Sequence, residues 1–72
     1  MTASEFLAAF AAEVGVDVPT GEATDTLLEL ASIAAHASER SAAPIACWIG
    51  GASGLAPAEL LAAARRVAPG VE

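Results

Sequence analysis

Few side chains in this sequence of 72 residues suit a binding or catalytic site, and most of them lie near its middle. His36 is its single histidine, and Arg40 is one of only three basic residues. Because they are four residues apart, the two side chains share one face of a helix. With Ser41 and the first N–H groups of a following helix, they would bind an anion. We favour a structural role instead, in which His36 and Arg40 bond backbone carbonyls at the end of their helix.

The other reactive groups do not complete a catalytic or metal-binding set. Cys47 is the single cysteine, which excludes an internal disulfide and a cysteine-rich zinc site. We predict a buried, unreactive thiol, since no orienting partner for a nucleophile is evident. Asp25 and Glu29 are two carboxylates at helical spacing, and a metal ion needs more ligands. We therefore expect a solvated face, no catalytic residue, no metal and no independent enzyme activity.

Trp48, with Pro44 four residues before it, is the candidate anchor for a protein partner. A sequence so poor in large side chains needs its tryptophan for the core, so we expect Trp48 to be mostly buried. The run Ala42-Ala43-Pro44-Ile45 has two interpretations, a recognition surface or small residues that let two helices approach closely. We favour the packing interpretation.

Composition limits both the class of protein and its partners. Nine acidic residues against three arginines give a net charge of −6, which disfavours binding to nucleic acid or to an anionic membrane. The N-terminus lacks the basic region of a signal peptide and no stretch is apolar enough to span a membrane, so we expect a cytoplasmic protein. Twenty of the residues are alanine, so a core in a single domain over residues 1–72 is thin. Very close helix packing, a protein partner or a second copy would compensate.

Helical periodicity throughout the chain predicts an all-α fold, a compact bundle of about four short helices. Thr2 or Ser4 caps the first helix, and a capping box with Glu5 favours Thr2. The other predicted boundaries follow from caps, prolines and glycines. Gly15 ends the first helix, and the second starts between Glu22 and Thr24 and ends near Ser38 or Glu39. The third helix is capped by Ser41 and covers Ala42 to about Ser53, and the fourth starts at Pro57 and is stopped by Pro69-Gly70.

The same periodicity predicts which side of each helix is apolar. The expected apolar stripes are Phe6, Leu7, Phe10 and Val14; Leu27, Leu30, Ala31, Ala34 and either Ala35 or Ser38; Ile45, Trp48, Ile49 and Ala52; and Leu60, Leu61, Ala64 and Val67. A polar stripe on the second helix comprises Asp25, Glu29, Ser32, His36 and Arg40. Gly50-Gly51 either ends the third helix early or allows close backbone contact.

The segment DTLLELASIAAHASERSAAPIACWIGGASG carries a resemblance to a known family. Its leucine-rich helix, the pair Ala35-His36, the stretch from Glu39 to Ile45 and Gly50 resemble a family of small actinobacterial domains of unknown function. Members of that family occur alone or fused to proteins similar to molybdenum cofactor guanylyltransferases. After Pro44 this sequence has Ala46-Cys47-Trp48 where the family usually has Thr-Thr-Phe or similar residues.

The resemblance implies a link to molybdenum cofactor maturation. The transferase reaction itself needs a glycine-rich loop with a basic residue and acidic metal ligands on an α/β fold, which this chain lacks. We therefore expect a non-catalytic accessory or docking module whose partner is such an enzyme, with a molybdopterin-type ligand as a candidate contact of His36, Arg40 and Ser41. The alternative is a helical module that self-associates into a homo-oligomer and has no connection with cofactor chemistry.

Overall fold

A computed structural model describes residues 1–69, which form four α-helices and contain no β-strand. The helices are α1 (Ala3–Val14), α2 (Gly21–Ala37), α3 (Ala42–Ser53) and α4 (Pro57–Val67). The predicted all-α bundle is confirmed. The fourth helix was expected to be stopped by Pro69-Gly70, and its last residue is Val67, shortly before Pro69; Gly70 lies outside the described residues. No helix in residues 1–69 combines the length and apolar character needed to cross a bilayer.

Local hydrogen bonds fix both ends of α1, as the sequence predicted. The hydroxyl of Thr2 accepts a bond from the Glu5 N–H at 3.1 Å, and the Glu5 carboxylate accepts one from the Thr2 N–H at 2.8 Å. This reciprocal pair is the capping box, and it selects Thr2 over Ser4 as the cap. At the other end Gly15 has φ 81°, a left-handed conformation that glycine adopts without strain, and its N–H donates to the Ala11 carbonyl.

Helix α2 is the central element, because it makes extensive contacts with both α3 and α4. It begins at Gly21, one residue before the predicted range, where the Thr20 hydroxyl accepts a bond from the Ala23 N–H at 3.1 Å. Leu30, in the middle of α2, is only 5% exposed. The predicted polar stripe lies in solvent, and its Glu29 pairs with Arg65 of α4. That ion pair links two helices whose residues lie far apart in sequence.

The start of α3 corrects one prediction. Ser41 occupies the position before the helix, but its side chain makes no capping hydrogen bond. Its φ and ψ of −67° and −15° are helical, whereas a capping side chain usually needs an extended backbone. Backbone bonds close the connection instead, from the Ala42 N–H to Glu39 and from the Ala43 N–H to Arg40. The chain therefore turns directly into α3, and the predicted Ser41 cap is wrong.

Gly50 of α3 makes room for the side chain of Leu60 from α4. A Cβ atom placed on Gly50 would lie 2.8 Å from a terminal methyl carbon of Leu60 on α4. No atom lies within 4 Å of the equivalent position on Gly51. Of the two roles predicted for this glycine pair, an early end of the helix is wrong, because α3 continues past both residues to Ser53. The contact found at Gly50 is with the side chain of Leu60 and not with its backbone.

The core is smaller than the apolar stripes predicted. In the described part of the chain the buried hydrophobic residues are Ala11, Leu30 and Ala68, and the glycine Gly50 is also buried. The large side chains of the apolar stripes on α1 and α3 are exposed, and Val67 of α4 is exposed as well. Helix α3 packs through its small residues, with Gly50 buried and Ala43, Ala46 and Cys47 half-buried. Small side chains permit a closer approach, so the bulky side of α3 faces solvent.

Candidate functional site

His36 bonds to its own helix. Its Nδ1 lies 2.7 Å from the backbone carbonyl oxygen of Ser32 and 3.2 Å from the Ser32 hydroxyl. Since a carbonyl only accepts, the short contact requires a proton on Nδ1. That carbonyl is one turn earlier in α2, so the bond lies within the helix and not at the connection to α3, where we had placed it. The ring lies beside a cleft of about 310 Å³ that Pro69 and Ile33 also line.

The three predicted anion-binding residues do not line one cavity. Ser41 lies along a different groove, beside Glu39, Ile45 and Ile49. Arg40 is exposed in the turn before α3, and no hydrogen bond of its guanidinium is found within residues 1–69. A carboxylate beside Ser41 disfavours an anion at that point. An anion or cofactor contact of His36, Arg40 and Ser41 therefore stays a prediction, without a shared pocket to support it.

Cys47 and the acidic residues occupy ordinary structural positions. The Cys47 thiol is free and half-buried, on the side of α3 that packs. Within residues 1–69, no group of three or more His, Cys, Asp or Glu side chains is arranged to hold a metal ion. Asp25 is exposed, and Glu29 forms the ion pair with Arg65. That pairing was missed, because 36 residues separate its partners and no local pattern indicates it.

Helix α1 presents a row of large apolar side chains to solvent. Phe6 and Phe10 are 52% and 55% exposed, and their rings stack with centroids 5.9 Å apart and planes 9° apart. Leu7 and Val14 continue the row, each about half exposed. Glu13 lies at helical spacing from Phe10 and is also exposed, so a negative charge borders the row. We call Phe6, Leu7, Phe10 and Val14 the α1 face.

Helix α3 presents a second apolar surface. Trp48 is 74% exposed, which corrects our expectation that it is mostly buried. Ile45 and Ile49 are also largely exposed, and Pro44 lies four residues before Trp48 on the same side of the helix. The structure therefore brings the two candidate anchors, Trp48 and Pro44, onto one surface. We call this surface the α3 face, made of Pro44, Ile45, Trp48, Ile49, Gly51 and Ala52.

A third apolar feature is a groove of about 390 Å³ between α1 and the first half of α2. Its walls include Leu7, Val18, Leu27 and Leu28. It borders the α1 face through Leu7. The groove therefore widens the exposed apolar surface beside α1.

The total accessible surface is large for the mass. The chain exposes 5363 Å², whereas compact monomers of 7.1 kDa expose about 4,100 Å² by the usual size relation. The large apolar side chains of α1 and α3 are among the exposed residues.

The fold and these surfaces define a small all-α module with two exposed apolar helix faces. A family model described as "Domain of unknown function (DUF6457)" matches residues 1–72, and the chain belongs to that family. No match was found to a curated protein or to a solved structure.

Proposed function

We propose that this chain is a non-catalytic docking module that binds a protein partner through the α1 face. The observation that carries the proposal is the exposure of Phe6, Phe10, Leu7 and Val14 on one helix. A side chain of this size is worth about 1.5–3 kcal/mol when fully buried, so a folded monomer leaves much of that free energy unused. A partner that covers the row would recover it.

The α1 face has the features of a helix that docks in a groove. Its apolar residues recur at three- and four-residue spacing, as in helices that insert one face into a partner. Aromatic side chains supply most of the energy at such contacts, and here Phe6 and Phe10 are already stacked. The capping box fixes the start of α1, which lowers the cost of ordering the helix on binding. With Glu5 and Glu13 nearby, a partner groove with a basic rim fits best.

We propose further that the partner is a molybdenum cofactor guanylyltransferase-like enzyme and that the module assists its maturation reaction. The support is the resemblance of the segment from Asp25 to Gly50 to actinobacterial domains that occur fused to such enzymes. A fused domain is held beside its enzyme, and in both arrangements a docking surface would hold the domain against it. A contact of His36 or Arg40 with a molybdopterin-type ligand belongs to the same proposal.

Binding to the purified enzyme tests this proposal. The guanylyltransferase-like protein encoded in the same genome would be titrated with the chain by isothermal calorimetry. We expect binding for the wild type and at least about tenfold weaker binding for Phe10→Ala, because loss of an aromatic anchor costs more than about 1.4 kcal/mol. Val67→Ala is the matched control, since Val67 is also exposed but lies on α4.

Two results would contradict the proposal in different ways. If the wild type does not bind the enzyme, the link to cofactor maturation is wrong. If it binds but Phe10→Ala binds equally well, docking occurs through a surface other than the α1 face. Circular dichroism of each variant shows whether the helices remain intact, so unfolding is not mistaken for lost contact.

A further inference from the structure

Helix α1 is attached to the rest of the molecule by few contacts. In the described chain, extensive contacts pair α2 with α3 and α2 with α4, and no such pair includes α1. Within residues 1–69, no hydrogen bond or ion pair is found between α1 and another helix. Helix α4, by contrast, is joined to α2 by the Glu29–Arg65 pair and to α3 by the contact of Leu60 with Gly50. Helices α2, α3 and α4 therefore form one packed unit, which we call the α2–α4 core.

The burial of side chains shows the same division. Ala11, at 9% exposed, is the one buried residue of α1, and every other residue from Ala3 to Val14 is exposed. Leu7 is 48% exposed and lines the groove between α1 and α2 together with Leu27. Stabilisation by burial rises with the apolar area removed from water, so a contact made mainly by Ala11 and part of Leu7 holds α1 weakly.

The two ends of α1 are closed by hydrogen bonds within α1 and its flanking residues. The capping box of Thr2 and Glu5 satisfies the first turn. At the other end the N–H groups of Gly15 and Val16 donate to the carbonyl of Ala11. Neither end uses a group of the α2–α4 core as its cap. Helix α1 can therefore leave the core without breaking a hydrogen bond.

The connection between α1 and α2 has the properties of a hinge. Residues 15–20 are all exposed, and Gly15 is in the left-handed conformation. In the described part of the chain no hydrogen bond of residues 17–19 is found. A loop that no hydrogen bonds hold can change its backbone dihedral angles and redirect the helix that precedes it.

We propose that α1 is a hinged arm that opens from the α2–α4 core and closes on it again while that core stays folded. In the closed position Leu7 and Ala8 of the arm form one wall of the groove whose other wall includes Leu27 and Leu28. Opening removes the first wall and leaves the two leucines of α2 uncovered. The position of the arm therefore sets how much apolar surface α2 exposes.

The closed position is the favoured one. A helix of 12 residues is marginally stable alone in water, so the open arm is a minor state in which α1 partly unravels. Such openings of single elements, well below the free energy of global unfolding, are a general property of folded proteins. The inference concerns the motion of α1 and does not depend on which protein binds the α1 face.

Hydrogen exchange of the wild-type chain, followed by NMR at low urea concentrations, tests the arm. We expect the amides from Leu7 to Val14 to be at least about 30-fold less protected than the most protected amides around Leu30. Their exchange should depend less on urea, because opening the arm exposes less surface than global unfolding does. Equal protection and equal urea dependence in α1 and α2 would overturn the proposal. Protection that rises steadily from Leu7 to Val14 would also overturn it, since that gradient indicates fraying from the N-terminus.

Two neighbouring alanines provide a matched pair of variants. Ala11→Glu places a charge in the contact that holds α1, whereas Ala12→Glu adds the same charge at an exposed position of the same helix. Because a buried charge is strongly disfavoured, Ala11→Glu should shift the arm to the open position. The Cα chemical shifts should then show loss of helix in α1 and unchanged helix in α2, α3 and α4. Ala12→Glu should leave all four helices in place.

Two results with these variants would contradict a hinged arm. Loss of helix in α1 and α2 together in Ala11→Glu, including complete unfolding, would show that α1 and the core fold as one unit. Equal effects of Ala11→Glu and Ala12→Glu would show that the contact at Ala11 does not hold α1 in place.

Discussion

Single residues in this protein act mainly by controlling how closely the helices approach. Gly50 is the clearest example, because Leu60 of α4 occupies the space where a side chain would begin. The exposed Glu29–Arg65 pair adds a directional contact between α2 and α4. Exposed ion pairs contribute only about 0.2–1 kcal/mol, so close packing, and not this pair, sets the helix positions.

The neighbouring glycines provide a matched comparison of this effect. Alanine in place of glycine inside a helix gains about 1 kcal/mol from propensity. Gly51→Ala should show this gain, since no atom lies near its new methyl group. Gly50→Ala should be less stable than Gly51→Ala by about 0.5–1.5 kcal/mol, because the end of the Leu60 side chain must leave its preferred rotamer. Urea unfolding at low protein concentration measures both, and equal stabilities would show that α3 and α4 are not in close contact.

At the scale of helices, the ends were more predictable than the faces. Local chemistry determines an end, so the Thr2 capping box, the left-handed Gly15 and the start at Pro57 could be inferred from a few adjacent residues. Ser41 is the exception, because backbone bonds of the turn replace its side chain. Which side of α3 packs depends on the neighbouring helices. From residue size alone we expected Trp48 to pack, but the side with Trp48 and Ile49 is exposed.

The candidate sites also differ in how far the sequence could predict them. Pro44 and Trp48 share a face because helical spacing places them there, so their juxtaposition could be predicted. His36 and Arg40 have similar spacing, but Arg40 lies in the turn after α2 ends at Ala37. The helical geometry that would align their side chains does not extend that far. The predicted grouping of His36 and Arg40 with Ser41 required α2 to continue past Ala37.

Helix α1 is the element whose stability depends most on its own capping. Its contacts with the other helices are less extensive than those of α2, α3 and α4. Thr2→Ala should therefore lower hydrogen-exchange protection within α1, at a cost of about 0.5–2 kcal/mol, and leave protection in α2 unchanged. Ser4→Ala is the control, since the Ser4 hydroxyl is not the cap. Equal losses in both variants, or losses spread over all helices, would contradict a local role for this cap.

At the scale of the whole molecule, the thin core and the two exposed apolar faces have the same cause. Alanine-rich helices approach closely, so few large side chains are needed inside, and the remainder lie on α1 and α3. An acidic residue borders each face, Glu13 beside the α1 face and Glu39 in the groove that Ile45 and Ile49 line. The two faces lie on different helices, so each can be altered without changing the other.

The net charge of −6 also acts on the molecule as a whole. Nine acidic groups repel one another in a small volume, and sodium chloride screens that repulsion. We expect the melting temperature of the protein at low concentration to rise with salt. Screening of the general repulsion should stabilise the fold more than the loss of the weak Glu29–Arg65 pair destabilises it. The double variant Glu13→Gln, Asp25→Asn removes two exposed charges, so its salt dependence should be smaller. Thermal melts followed by circular dichroism measure both proteins. A melting temperature that falls with salt would show that specific ion pairs outweigh general repulsion.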